Sequence, residues 1–230
     1  MSENLSFTKP DISYRAIARL AAPILVANIS IIGSGTIDTI MAGRLGAEHL
    51  AAVAIGNATV IMVILTLVGV IQSLSPLAGH HFGARRFERI GFELTQSLWL
   101  SLVLGLVGLA ILSATDFWIS LCNAQGNVAR MLRIYLLASA ASVPAFMLAR
   151  PFVALNAAVN LPRVTMWVSI GLLVLKGPLN YVFMYGLFGL PALGGAGAGV
   201  SSALGATVSL IALYSYWRFS HVYDAMRPAR

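Results

Sequence analysis

The chain has 230 residues, 58% of them hydrophobic and only 10% charged, with a formal net charge of +7. An ordinary soluble domain carries about 25% charged residues, so this chain lacks the polar groups to cover a water-exposed surface. Its uncharged runs exceed the ~20 residues that cross a bilayer, which reads as an all-α, polytopic membrane protein.

The N-terminal stretch MSENLSFTKPDISYRAIARL is polar and of mixed charge. It lacks the basic start and short apolar core of a cleaved signal, so the first apolar segment is expected to stay in place. The first span is expected from about Ile17 to Ala42. A tight turn, GRLGAEHL, leads to a second span from about Leu50 to Ala78. The third is expected near Leu94 to Ala114, and the fourth near Leu132 to Leu155 with Pro144 inside it. The fifth covers roughly Val164 to Tyr185, and the sixth roughly Leu193 to Trp217. The expected division is a cytoplasmic N-terminal segment (1–15), a six-helix transmembrane lobe (16–217) and a cytoplasmic C-terminal tail (218–230).

Translocated loops are poor in lysine and arginine, which fixes the orientation. With the N-terminus inside, the cytoplasmic set is Lys9, Arg15, Arg19, Arg85, Arg86, Arg89, Arg150, Arg163, Arg218, Arg227 and Arg230, against Arg44, Arg130 and Arg133 outside. Eleven against three places both termini in the cytoplasm and the chain in the cell's inner (plasma) membrane. The positive balance then follows from topology, and no nucleic-acid partner is expected.

Trp118, Tyr135, Trp167, Tyr185, Tyr214 and Trp217 fall near predicted helix ends, where amphipathic rings favour the interface. Small residues inside the spans let backbones approach closely: Gly33 and Gly35, Gly105 and Gly108, and the run Gly194 to Gly205. That last run, GGAGAGVSSALG, has a superficial likeness to a dinucleotide loop, but no strand precedes it, so helix packing is the expected role.

Two ionic residues lie inside the spans, Asp38 and Lys176. A charge near the bilayer centre costs about 2.5–3.5 kcal/mol on insertion scales, so each needs a partner, a water cavity or a function. Asp38 could reach water at the outer end of its helix, and Lys176 could snorkel toward the outer surface. Alternatively the two converge. Asn180 lies one turn beyond Lys176 on the same helix face, with Gly177 and Pro178 between them to loosen the backbone. A convergent cluster would occupy the outward half of the bundle, where its carboxylate could exchange a proton or bind a small cation.

Enzyme readings are weaker. The GSG at Gly33 to Gly35 has the look of an intramembrane serine site around Ser34, yet His49, His80, His81 and His221 all fall at loops or ends. An aspartyl protease needs two intramembrane acids, and only Asp38 qualifies. His80 and His81 lack a further Cys, His or acid cluster, so no metal site is expected, and neither is a cofactor. The chain is expected not to be an enzyme.

The stretches LAAPILVANIS and TIDTIMAGRLGAEHLAAVAIG resemble the start of multidrug and toxic compound extrusion (MATE) transporters. SPLAGHHFGARRFERIG is similar to the family's second helix and first cytoplasmic loop, RIYLLASAASVPAFML to its fourth helix, and KGPLNYVFMYGLFGLPALGGAGAGVSSAL to its fifth and sixth. The resemblance implies a twelve-helix fold in two six-helix lobes, of which this chain supplies the amino-terminal one. It implies export of drug-like compounds driven by inward flow of protons or sodium. It further implies that Asp38 takes part in cation coupling, that Asn180 and Ser202 are polar positions of the same coupling site, and that Pro23 marks a helix bend.

Two departures from the family pattern bear on mechanism. The family often carries an asparagine where this chain has Lys176, a built-in positive charge that disfavours sodium, so protons are the expected coupling ion. The chain also offers only six spans, which fits a truncated form, a half that pairs with another chain, or a dimer of two copies; truncation is the expected case.

Overall fold

A computed structural model describes residues 14–187, 189, 191–221 and 223. Lys9, Arg227 and Arg230, together with most of the proposed terminal segments, lie outside these residues. The described chain is helical: α1 (Tyr14–Leu45), α2 (Ala47–Ile71), α3 (Leu74–Gly83), α4 (Phe87–Ser113), α5 (Thr115–Leu121), α6 (Gly126–Ala158), α7 (Pro162–Tyr185) and α8 (Gly197–Phe219), the last preceded by one 3₁₀ turn, Gly194–Ala196. Among the described residues, six helical stretches are long and apolar enough to cross a membrane.

The six expected spans appear, with two revisions. The second is broken at Gln72 and Ser73, so α2 and α3 together form Ala47–Gly83. A short helix, α5, also fills the connection before α6, and Trp118 on it is buried, donating its indole N–H to the Ile111 carbonyl at 2.9 Å. The turn between α1 and α2 rests on Gly46, whose φ of 129° is open to a residue without a Cβ.

Helix faces explain the packing. On α1 the buried residues Pro23, Ala27, Ser30, Asp38 and Ala42 form one stripe, while Leu25, Ile29 and Ile40 are exposed on the outer surface and Ile24, Ile31 and Ile32 border a cavity. On α7 the buried stripe is Pro162, Ser169, Lys176, Asn180 and Met184. Small and polar residues point inward and large aliphatics outward, the reverse of a soluble amphipathic helix and the pattern expected where the surroundings are lipid.

The long helix α6 is central, packing against α2, α4 and α8, while α1 packs on α7 and α2. Close approach is set by glycine: a Cβ on Gly105 would sit 2.8 Å from the Pro144 Cα, and one on Gly108 would sit 2.8 Å from Val143 Cγ1. The Gly194–Gly205 run packs helices as expected, since a Cβ on Gly197 would lie 2.6 Å from the Phe183 backbone and one on Gly199 would lie 2.8 Å from the Tyr135 carbonyl oxygen. Gly35 departs from the expected packing role; nothing lies within 4 Å of its would-be Cβ, and it borders a cavity.

Two apolar clusters result. One joins Ala42, Val53, Leu67, Leu112, Leu132, Tyr135 and Met184. The other joins Leu74, Ile90, Leu94, Phe152, Leu155, Leu213 and Tyr223.

Three placements correct the sequence reading. Tyr135 is not an interfacial ring: α6 begins nine residues earlier, at Gly126, which carries Tyr135 into the core, 3% exposed. Trp118 is likewise buried, whereas Trp167, Tyr185 and Tyr214 are exposed. Arg150, grouped with the cytoplasmic loops, lies inside α6 eight residues before its end.

Candidate functional site

The α1–α2 turn, the α7–α8 connection and the start of α8 meet at the same end of the bundle, where the backbone N–H of Gly195 donates to His49 Nδ1 at 3.0 Å. Asp38 lies seven residues before the end of α1 and Lys176 nine before the end of α7. At 1.5 Å per residue, both sit about 10–14 Å below those helix ends. Common depth follows from the register of the two helices.

Helix packing then makes the pair. Lys176 Nζ lies 3.1 Å from Asp38 Oδ1, with both residues buried. Neither the water-reaching account of Asp38 nor the snorkelling account of Lys176 describes this arrangement. Asn180 Nδ2 donates to the same carboxylate oxygen at 2.6 Å, and the Ser201 hydroxyl donates to Asn180 Oδ1. The ammonium also donates to Ser202 Oγ at 2.6 Å, Ser201 Oγ at 3.2 Å and the Ala198 carbonyl at 3.4 Å. Ser202 in turn donates to that carbonyl at 2.8 Å, an alternative acceptor for the Ser201 hydroxyl at 3.0 Å.

Of the residues singled out in the sequence, Asp38, Lys176, Asn180 and Ser202 therefore come together. Ser201 was missed: it is the second hydroxyl of a serine pair in a run of small residues, and only the docking of α8 on α7 shows that both reach the ammonium. Pro23 is buried in α1, which continues through it without the N–H that proline cannot supply.

Asp38 Oδ1 is fully engaged, whereas Oδ2 makes no hydrogen bond with any described residue. Asp38 and Lys176 border a cavity of about 920 Å³ between α1, α2, α6, α7 and α8. Its wall is largely apolar, with Asn57, Tyr135, Ser139, Ser142 and Arg150 among the polar exceptions. An apolar cavity with a few convergent polar groups suits an amphipathic organic ligand, and an open carboxylate oxygen on its wall can take a proton or meet a cation.

Other candidates do not join the site. The Ser34 hydroxyl is spent on the Ser30 carbonyl at 3.0 Å. His80 and His81 lie side by side on α3, their rings tilted by 59° with centroids 5.9 Å apart, and no group of three potential metal ligands occurs among the described residues. Cys122 is exposed after α5.

The model of the MatE family matches residues 23–182. The chain belongs to the MatE family. It is 41% identical over 198 residues to the probable multidrug resistance protein NorM of Aromatoleum aromaticum, covering 85% of this chain and 43% of that protein. It is 38% identical over 207 residues to its counterpart in Neisseria meningitidis serogroup B, covering 88% of this chain and 44% of that one. Among solved structures, the MATE transporter NorM-NG, in complex with a small ligand and a monobody, matches with a TM-score of 0.73 at 32% identity, covering 92% of this chain and 46% of that one. The eukaryotic MATE transporter AtDTX14 shares the fold, with a TM-score of 0.83 at 19% identity over 94% of this chain and 47% of that one. This MatE chain thus spans less than half the length of the relatives it matches, in agreement with one six-helix lobe.

Proposed function

We propose that the chain is one lobe of a secondary antiporter that exports amphipathic, often cationic organic compounds in exchange for protons, acting together with a second six-helix lobe. The observation that carries the reading is the buried Asp38–Lys176 pair on the cavity wall, with hydrogen bonding and pairing confined to one carboxylate oxygen. Relatives called multidrug resistance proteins, together with a transporter of the family solved with a small ligand, support a drug-like substrate class.

The proposed cycle uses Asp38 as the switch. Ionised, it holds Lys176 and Asn180 and closes α1 onto α7. When a proton reaches Oδ2, the attraction to the ammonium is lost, and Lys176 falls back on Ser201, Ser202 and the Ala198 carbonyl. The cluster then gains one positive charge and α1 is released, so proton occupancy and the direction in which the cavity faces become linked; rocking of one lobe against the other completes the exchange. Pro23 is the proposed bend point, where the α1 hydrogen-bond ladder lacks a rung. The fixed ammonium 3.1 Å from Asp38 competes with any metal cation for the same carboxylate, which favours protons over sodium.

The proposed setting is the cell's inner membrane with both termini cytoplasmic: Arg85, Arg86, Arg89, Arg163 and Arg218 cluster at one end of the bundle, against Arg44, Arg130 and Arg133 at the other. Residues 1–15 and 218–230 are then cytoplasmic segments flanking the lobe.

Proteoliposomes carrying the chain at densities that favour paired lobes provide the test. An imposed pH gradient should drive a fluorescent cationic dye across the bilayer, and Asp38→Asn should abolish that dependence. Gradient-driven movement that persists unchanged in Asp38→Asn would remove Asp38 from the mechanism.

A further inference from the structure

Among the described residues, three ionic side chains border the cavity: Asp38, Lys176 and Arg150. The first two neutralise one another. Arg150 has no carboxylate within ion-pair distance among the described residues, and no described group accepts a hydrogen bond from it. Its one specific contact there is the ring of Phe146, with the guanidinium carbon 3.9 Å from the ring centroid. That contact occupies a face of the guanidinium and leaves its in-plane N–H donors free for an acceptor.

Snorkelling is the plain alternative for an arginine near a helix end, but the side chain runs the other way. The nearer end of α6 is Ala158, eight residues on, while Phe146 lies one turn back toward the middle of the helix. The guanidinium is therefore folded along the cavity wall, away from the closer membrane surface. Thr165 and Ser169 of α7 and Ser209 of α8 border the same cavity and could add hydroxyl donors. No hydrogen bond or ion pair links Arg150 to Asp38, Lys176 or their partners, so this cation is separate from the coupling pair.

We infer that Arg150, seated on Phe146, is an anion-binding subsite of the cavity, and that the lobe selects amphipathic aromatic compounds bearing a carboxylate or comparable acidic group. The inference rests on the transport reading above and names the chemistry of its substrate. A guanidinium binds a carboxylate through paired N–H donors, with a geometry a lysine ammonium cannot reproduce. A cavity wall with one uncompensated positive charge also disfavours a purely cationic compound relative to a zwitterion of the same shape.

The test compares rhodamine B, which carries a free carboxylate, with its ethyl ester, by equilibrium binding to the purified full 230-residue chain in detergent. Expressed relative to the ester, the wild type should favour rhodamine B, and Arg150→Gln should reduce that preference by about tenfold, equivalent to about 1.4 kcal/mol, while Arg150→Lys retains part of it. Because each variant is its own reference, differences in micelle partitioning cancel. An equal preference in wild type and Arg150→Gln, with both dyes bound, would overturn the anion subsite and leave the transport reading intact. Failure of the wild type to bind either dye would overturn the cavity as a substrate site, and the subsite with it. Should Arg150→Gln not fold, the lysine variant decides: an undiminished preference would contradict the proposed paired geometry.

Discussion

Replacing Lys176 with methionine removes an ammonium 3.1 Å from Asp38 Oδ1 while keeping a stem of similar length. At an effective dielectric of ~20, the attraction at that separation is about 5 kcal/mol before desolvation is counted. What a stability measurement reads is the cost of stranding the partner, and breaking a buried pair costs about 3–5 kcal/mol. Asp38 keeps its hydrogen bond from Asn180 and can be protonated, so the lower end, about 3 kcal/mol, is expected for Lys176→Met. Asp38→Asn should be milder, about 2 kcal/mol, because the ammonium retains Ser201, Ser202 and the Ala198 carbonyl as acceptors. The double variant strands no charge, so its cost should fall short of the sum of the two by about 2 kcal/mol. Unfolding of the detergent-solubilised chain by SDS, followed through tryptophan fluorescence, measures all three. Costs that add to within about 0.5 kcal/mol would refute the pairing as an energetic unit.

Further outcomes test the frame that positions the pair. Gly197→Ala should destabilise by about 1–3 kcal/mol, since its Cβ would meet the Phe183 backbone at 2.6 Å, whereas Gly35→Ala, with open space, should be neutral or slightly stabilising in the same SDS titration. Tyr223→Phe should cost about 1–2 kcal/mol, because the buried phenol donates to Asn156 Oδ1 and its removal leaves that oxygen unsatisfied; an unchanged midpoint would contradict the contact. The exposed Arg133–Asp116 pair should contribute little, so Asp116→Asn should shift stability by less than about 0.5 kcal/mol, and a loss several times larger would show that the pair has been misjudged.

Most of the architecture could be read from residue type, because the bilayer allows few alternatives. Charge-free runs of the right length become helices, and glycine in those runs marks close packing, as Gly105, Gly108 and Gly197 do. The break at Gln72 and Ser73 is signalled only indirectly, by Pro76, which has no N–H to give the Gln72 carbonyl four residues back. Tyr135 and Arg150 were misplaced for one shared reason: α6 extends beyond its apolar centre in both directions, and residues taken for helix ends become interior. At the site, Asp38 and Lys176 declared themselves through the cost of charge in lipid, and Asn180 through its spacing from Lys176. Their meeting depends on how α1 packs against α7, which no local pattern encodes. Ser201 became visible only through the rotation of α8.

The central claim is that the Asp38 carboxyl takes up and gives up a proton in competition with substrate. Infrared difference spectroscopy on the purified chain reads this directly through the carbonyl stretch of a protonated carboxyl group. Lowering the pH should raise such a band in the wild type, the band should be missing in Asp38→Asn, and adding a cationic dye should diminish it as the proton leaves. A band that survives in Asp38→Asn, or one that dye binding leaves untouched, would contradict the account.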